Sequence, residues 1–263
     1  MATTLPTGKP KGKLISTDTI EQSFFNCLIY GETDSWKTTV AAQFGKPEST
    51  LLVVTRRIEQ ALPLKGLGYR IYYTTDVDDV ETVLREPQRV LPELAGAQEP
   101  LIVLDDISAF RDLVLEESSW VERGGVLQPV TDTRTVYQHG AERIRTIIRT
   151  ALNGRYHFIA IALASVTSNP ITHEEQIAPD LSPAMLRAIL PDFEHVFYFD
   201  KRLKYVYTAP KTDNYEEIVD GRPVRHRRTI FAKHKAPLGR VKQVQAEYPL
   251  TPDVLRRIWE AIR

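Results

Sequence analysis

Gly31-Glu32-Thr33-Asp34-Ser35-Trp36-Lys37-Thr38-Thr39 is the stretch on which the fold turns. It follows an apolar run, Phe24–Tyr30 (FFNCLIY), that reads as a buried strand, and it opens a helical pattern over Lys37–Phe44. Strand, loop and helix in that order is the setting in which G-x-x-x-x-G-K-[ST] cradles phosphate. The stretch meets the pattern at every defined position but one: Trp36 stands where the second glycine belongs. The chemistry gives each part a task. Backbone N–H groups of the loop and of the helix start would face phosphate oxygens. The Lys37 ammonium would reach the β- and γ-phosphates, and the Thr38 hydroxyl would ligate Mg²⁺. Trp36 has a Cβ where glycine permits close approach, so a right-handed backbone is expected there, with the ring outward or beside the nucleotide. Glu32 and Asp34 put negative charge next to a polyphosphate and are expected to face solvent or a cation.

Working outward, further apolar runs read as strands: Leu51–Thr55, Tyr69–Thr74, Leu101–Leu104 and Tyr156–Ala164. Helical patterns lie between them. Asp76–Leu94 opens on acids that suit a helix N-terminus and is interrupted at Pro87; Val136–Leu152 closes at Asn153-Gly154. Continuous apolar strands alternating with helices predict an α/β fold with a mostly parallel central sheet covered on both faces. Leu101–Leu104 runs into Asp105-Asp106, four apolar residues ending in acids, the form in which an aspartate meets Mg²⁺. Asp105 is the candidate metal-side acid, and Asp106 the candidate to orient the attacking water. Glu59, just beyond Leu51–Thr55, is a second candidate base; its neighbours Arg56 and Arg57 fit equally a surface segment with ion pairs.

The last third reads differently. Ser182-Pro183 and Thr251-Pro252 each resemble an N-cap followed by proline at the first helical position. Between the helices they open, Glu194–Phe199, Leu203–Thr208 and Arg228–Lys233 alternate like antiparallel strands, and Pro210–Pro223 reads as a polar loop or hairpin tip. The expected organisation is a flexible tail over Met1–Lys13 and one domain over 14–263. Its core spans about 24–190, with an antiparallel β extension and terminal helix over about 191–263.

Composition bounds the function. With 263 residues, 42% of them hydrophobic, the chain can bury a real core. Lys+Arg and Asp+Glu are both 34, which argues against a wholly basic nucleic-acid coat. The charge is unevenly placed: Ile71–Trp120 is strongly acidic, and Lys201–Lys242 is strongly basic. The single cysteine, Cys27, excludes a disulfide scaffold and a cysteine-based zinc site and suits a reducing compartment. No apolar run approaches a membrane span and the start has no secretory pattern, so a cytoplasmic protein without membrane association is expected. The histidines lack metal-ligand spacing, and no G-x-S-x-G elbow is present.

Over roughly Phe24–Gln243 the chain resembles the RecA-like P-loop ATPases of phages, nucleotide-binding AAA-domain proteins related to Rad-type recombinases and single-strand annealing proteins. The residues that carry the resemblance are the Gly31–Thr39 loop (Walker A), the Asp105-Asp106 strand end (Walker B) and Phe231-Ala-Lys233-His-Lys235-Ala-Pro237. The resemblance implies an ATP- and Mg²⁺-dependent ATPase with ATP at a subunit interface of a ring or filament, serving DNA recombination, annealing or replication. Lys233 and Lys235 would then reach the neighbour's γ-phosphate, as an arginine finger does. A polar residue at the end of Tyr156–Ala164, among Ser165, Thr167 and Asn169, would sense the γ-phosphate. The following loop to Leu181 holds Glu174, Glu175 and Asp180 without Lys or Arg, so the basic Lys201–Lys242 region is the better candidate for single-stranded DNA. Two other readings stay open: a degenerate phosphate loop serving as an assembly or interaction module without turnover, and a packaging or helicase-loading ATPase.

Overall fold

A computed structural model of the protein describes residues 24–123, 126–219, 222–235 and 244–263. The expected tail, and the parts of the basic region at 220–221 and 236–242, lie outside the described residues. The chain begins β1 (Asn26–Gly31), α1 (Lys37–Ala42), β2 (Thr50–Val54), β3 (Arg70–Tyr73), α2 (Val77–Arg85), β4 (Leu101–Asp105) and α3 (Ile107–Ser118). A small hairpin, β5 (Trp120–Arg123) and β6 (Val126–Pro129), precedes α4 (Thr133–Leu152). Then come β7 (His157–Asn169), β8 (Glu174–Pro179), α5 (Pro183–Ile189), β9 (His195–Asp200) and β10 (Tyr205–Tyr207). The chain closes with β11 (Lys211–Val219), β12 (Arg222–Ile230), β13 (Glu247–Pro249) and α6 (Val254–Ile262).

The fold is α/β. Six parallel strands lie in the order β3-β2-β4-β7-β1-β9, and β10 and β13 continue the sheet antiparallel beyond β9. Alternate residues of β1 enter opposite layers, as a period of two requires. Cys27 and Ile29 pack with α1 and α6; Leu28 and Tyr30 pack with α2 to α5. Both faces being covered explains why β2 and β4 are buried at every residue. Within the larger helical layer, Arg143 of α4 joins Asp78 and Glu81 of α2, so one partly buried guanidinium ties two helices. Asp76 caps α2 by accepting from Asp79 N–H, and Ser182 caps α5 by accepting from Met185 N–H.

At the amino ends of the strands lies a sealed aromatic cluster. The Phe25 ring centroid is 5.1 Å from Phe44 and 5.3 Å from both His195 and Trp259. His157 packs against Phe44 and Trp259, and one ring nitrogen of each histidine is used internally: His157 Nδ1 accepts from Phe25 N–H at 2.8 Å and His195 Nδ1 from Lys235 N–H at 3.3 Å.

Several expectations are corrected. Glu194–Phe199 alternates like an antiparallel strand, yet β9 pairs parallel with β1 and belongs to the main sheet. The expected loop to Leu181 holds strand β8, and β7 runs unbroken for 13 residues through Ser165–Asn169, its second half pairing antiparallel with β8. Pro210–Pro223 is mostly strand β11, paired residue for residue with β12. These segments form a four-stranded ribbon, β7-β8-β12-β11. Beyond the buried pair Ile177 and Ile230 at its root, its ladder carries ion pairs, Glu174–Arg227 and Glu175–Arg228 across β8–β12 and Glu216–Arg225 across β11–β12. Opposite charges on facing strands stabilise such a ladder where apolar contacts are few. At Thr251-Pro252 the helix begins two residues later than expected, with Asp253 at the N-cap and no side-chain cap bond.

Candidate functional site

The loop from Gly31 to Trp36 leaves β1 at its carboxyl end. Gly31 is required by contact: a Cβ there would lie 2.5 Å from Phe199 O on neighbouring β9. The loop then turns through two left-handed residues, Asp34 (φ 59°) and Trp36 (φ 64°). The expected right-handed backbone at Trp36 is thus overturned. A left-handed conformation costs a side-chain-bearing residue about 1–2 kcal/mol. Trp36 adopts it with the ring directed outward, 59% exposed, so its bulk does not enter the loop.

Lys37, the first residue of α1, folds back into this turn. Its Nζ donates to Gly31 O at 3.0 Å, Glu32 O at 2.6 Å and Ser35 Oγ at 3.1 Å, which uses all three ammonium donors. Ser35 Oγ in turn donates to Glu32 O at 2.7 Å. Burial lowers the Lys37 pKa to about 8, against the opposing pull of Asp105, Asp106, Asp34 and Glu32. Thr38 Oγ1 donates to Asp105 Oδ2 at 2.6 Å. Burial raises the Asp105 pKa to about 6, and Asp106 acts in the same direction, while the Thr38 hydroxyl and Lys37 oppose the rise. A lysine lowered and a carboxyl raised at one spot are the mark of charges held out of water.

The Asp105–Asp106 peptide is cis, and Asp106 is the N-cap of α3. Its Oδ1 accepts from Ala109 N–H at 2.5 Å and its Oδ2 from Gln60 Nε2 at 2.7 Å. Both oxygens of the expected water-orienting acid are therefore engaged. Gln60 lies on a short 3₁₀ segment, Ile58–Leu64, that also carries Glu59. The remaining amide oxygen, Gln60 Oε1, is buried without a partner among the described residues. An acceptor left so costs about 1–3 kcal/mol.

These groups line a cleft of about 520 Å³ beyond the carboxyl ends of the parallel strands, where open α/β sheets take their ligands. Residues Thr33–Thr39, Glu59, Gln60, Asp105 and Asp106 form its polar wall, and Ile161 and Leu163 of β7 are part of its apolar lining. Thr38 Oγ1 and Asp105 Oδ2 are the oxygen pair that could hold Mg²⁺. The donor set suits a hard cation that takes one or two carboxylates and keeps its other positions for waters and phosphate oxygens. Among the described residues no group of three or more His, Cys, Asp or Glu gathers at one point, so a cation in this cleft would share its coordination with a ligand.

The structure thus brings together Gly31–Thr39, Glu59, Asp105 and Asp106. It sets Lys233 and Lys235 apart. Lys233 bridges β9 at Val196, toward the amino end of that strand, with its Nζ on Leu190 O; Lys235 Nζ is on Glu194 Oε1 at 2.6 Å. Ser165, Thr167 and Asn169 lie on the ribbon half of β7, and Asn169 Oδ1 serves its turn by accepting from Ile171 and Thr172 N–H. Two features were beyond sequence reasoning. One is Gln60, which carries no motif. The other is the β9–β10 turn, where Lys201 pairs with Asp34 at 3.6 Å and Arg202 with Glu32 at 3.9 Å, supplying the cations those acids call for. Among the described residues of the basic region, Lys211, Arg227, Arg228 and Lys235 also pair with acids from elsewhere, through Lys211–Glu247, Arg227–Glu174, Arg228–Glu175 and Lys235–Glu194. No helix among the described residues is long and apolar enough to cross a membrane. Neither a protein-family model nor a curated protein matches the chain.

Proposed function

We propose that the protein is a RecA-like P-loop ATPase: it binds ATP with Mg²⁺ in the cleft beyond β1 and β4 and hydrolyses it. One observation carries the reading. Lys37-Thr38 and Asp105, 67 residues further along the chain, meet at the carboxyl ends of parallel strands with Thr38 and Asp105 in direct hydrogen bond. A buried ammonium beside a hydroxyl–carboxylate pair is a cation site next to an anion site, which is what a metal-bound polyphosphate presents. On binding, Lys37 would exchange the loop carbonyls for phosphate oxygens, and Thr38 and Asp105 would hold the metal, which supplies charge neutralisation at the transferring phosphoryl group. The β3-β2-β4-β7-β1-β9 order is compatible with this class of core.

Service in phage DNA recombination, single-strand annealing or replication, in a homo-oligomeric ring or filament, rests on the resemblance. Lys233 and Lys235 would act there in trans, at a neighbour's γ-phosphate. Contact with single-stranded DNA by the basic region would use arginines already paired on the ribbon, so it requires exchange of acids for phosphates and a steep salt dependence. A second reading, a nucleotide-indifferent assembly module, is favoured by Trp36 and by the complete internal satisfaction of the Lys37 ammonium.

Mg²⁺-dependent ATP hydrolysis by the full chain, with and without single-stranded DNA, beside Lys37→Ala, tests these. Turnover lost in Lys37→Ala supports the ATPase, and stimulation by DNA supports its recombination role. No nucleotide binding and no turnover in the wild type moves the reading to the assembly module.

A further inference from the structure

We propose that the Trp36 ring is a stacking platform for the base of a nucleotide bound in this cleft, so that the cleft selects a nucleotide over a bare polyphosphate; the inference rests on the nucleotide reading above. Trp36 is anomalous in three respects. Its backbone is left-handed at φ 64°, where glycine would be free of strain. It is 59% exposed, whereas Trp259 is 4% exposed. Among the described residues it belongs to neither apolar cluster. The fold therefore carries a backbone cost and an open indole at this position, with little packing to offset either. A strained residue on the wall of a cleft points to a ligand.

Trp36 lines the cleft, and the wall continues from it along one face of α1. Val40 and Gln43 follow at the fourth and seventh positions, the spacing of one helical face, and both line the same cleft. From Trp36 to Gln43 the helix axis rises about 10 Å. Pro252, ahead of α6, lines the cleft as well. The cleft thus extends along α1 past the Lys37 ammonium and the Thr38–Asp105 pair. Its volume of about 520 Å³ is in the range that takes a whole small-molecule ligand. The two parts differ in chemistry. Lys37, Thr38 and Asp105 suit phosphates and their metal, whereas an indole offers a broad apolar face and a single N–H at its edge. The flat, uncharged part of a nucleotide is its base. Every base has a π-face, so stacking on indole is tolerant of base identity, and adenine and guanine nucleotides are expected to gain alike.

The test uses the full chain as wild type, Trp36→Ala and Trp36→Phe, with Mg-ADP, Mg-GDP and Mg-pyrophosphate as probes in calorimetry. Alanine keeps the Cβ and the left-handed cost, so it removes the ring alone. Trp36→Ala is expected to weaken Mg-ADP and Mg-GDP by about 5- to 150-fold, the range for one stacked base, and to leave Mg-pyrophosphate at its wild-type affinity. Trp36→Phe, which keeps an aromatic face, recovers most of that loss for both nucleotides. Nucleotide affinity in Trp36→Ala equal to the wild type, or higher, overturns the platform and leaves the nucleotide reading intact. An equal loss for all three probes also overturns it, since the ring would then act on the phosphate loop itself. A wild type that binds neither Mg-ADP nor Mg-pyrophosphate overturns the nucleotide reading, and this inference with it.

Discussion

The two ends of the parallel sheet hold two buried polar clusters with opposite logic. At the carboxyl ends, Lys37 and Asp105 are charged groups of opposite sign held against an open cleft, with burial pressing both toward neutrality. At the amino ends, His157 and His195 are under 5% exposed, sealed among Phe25, Phe44 and Trp259, and each receives a backbone N–H. Burial perturbs titratable groups at both ends. Only one end leaves donors and acceptors that a ligand can take over. A perturbed pKa points to a site when a cleft accompanies it, and to packing when it does not.

The largest expected effect belongs to the sealed end. Burial, the first cause for both, lowers His157 and His195 to about 4. Glu99 opposes this at His157 while Arg256 and Arg263 add to it; at His195 Glu194 opposes it and His234, Lys233 and Lys235 add to it. The unfolded chain therefore binds more protons than the folded one between the ordinary histidine pKa and 4. The stabilisation is complete above about pH 6.5, lost as pH falls toward 4, and flat below, amounting to about 3 kcal/mol for each residue. Urea midpoints across that window, compared with His157→Gln, measure it; a wild-type slope unchanged by the substitution breaks the comparison. Next, Phe25→Ala should cost about 3–5 kcal/mol of stability and leave kcat per folded molecule unaltered. On the proposed ATPase reading, Lys37→Ala should do the reverse, lowering ATP turnover by about 10²–10³-fold, the cost of one preorganised charge-stabilising donor, with the melting temperature nearly kept. The smallest effect is at Trp36→Gly. Relief of the left-handed strain, about 1–2 kcal/mol, is offset by glycine's backbone entropy, so thermal melts should show a net gain of at most about 1 kcal/mol.

The open end was more legible in sequence than the ribbon, for a physical reason. The strands β1, β2, β4 and the first half of β7 are buried on both faces and so spell continuous apolar runs, and the loop between β1 and α1 is a local motif. β11 and the far half of β7 are held by backbone ladders and cross-strand charges, which leave no hydrophobic period. Gln60 became visible only when the 3₁₀ turn set it against Asp106, and Lys201 only when the β9–β10 turn met a loop 168 residues away. Neither juxtaposition has a local signature. Trp36 departs from the expected backbone because the preference against a left-handed residue is modest in energy, and an outward ring keeps its bulk clear of the loop.

One strand serves two sheets. The first half of β7 is a central member of the parallel sheet, its Leu163 N–H held by Ser108 Oγ at 3.0 Å, and its second half is the inner edge of the ribbon. From Leu163 to Asn169 the strand extends about 20 Å at the usual rise per residue. With no break between root and tip, a tilt at the floor of the cleft would be carried along the strand as along a lever. A tilt of about 5° at the root would sweep the tip through nearly 2 Å, by the same strand length. Mechanical amplification of that kind needs no hinge and no added part; it follows from a single strand being too long for one sheet.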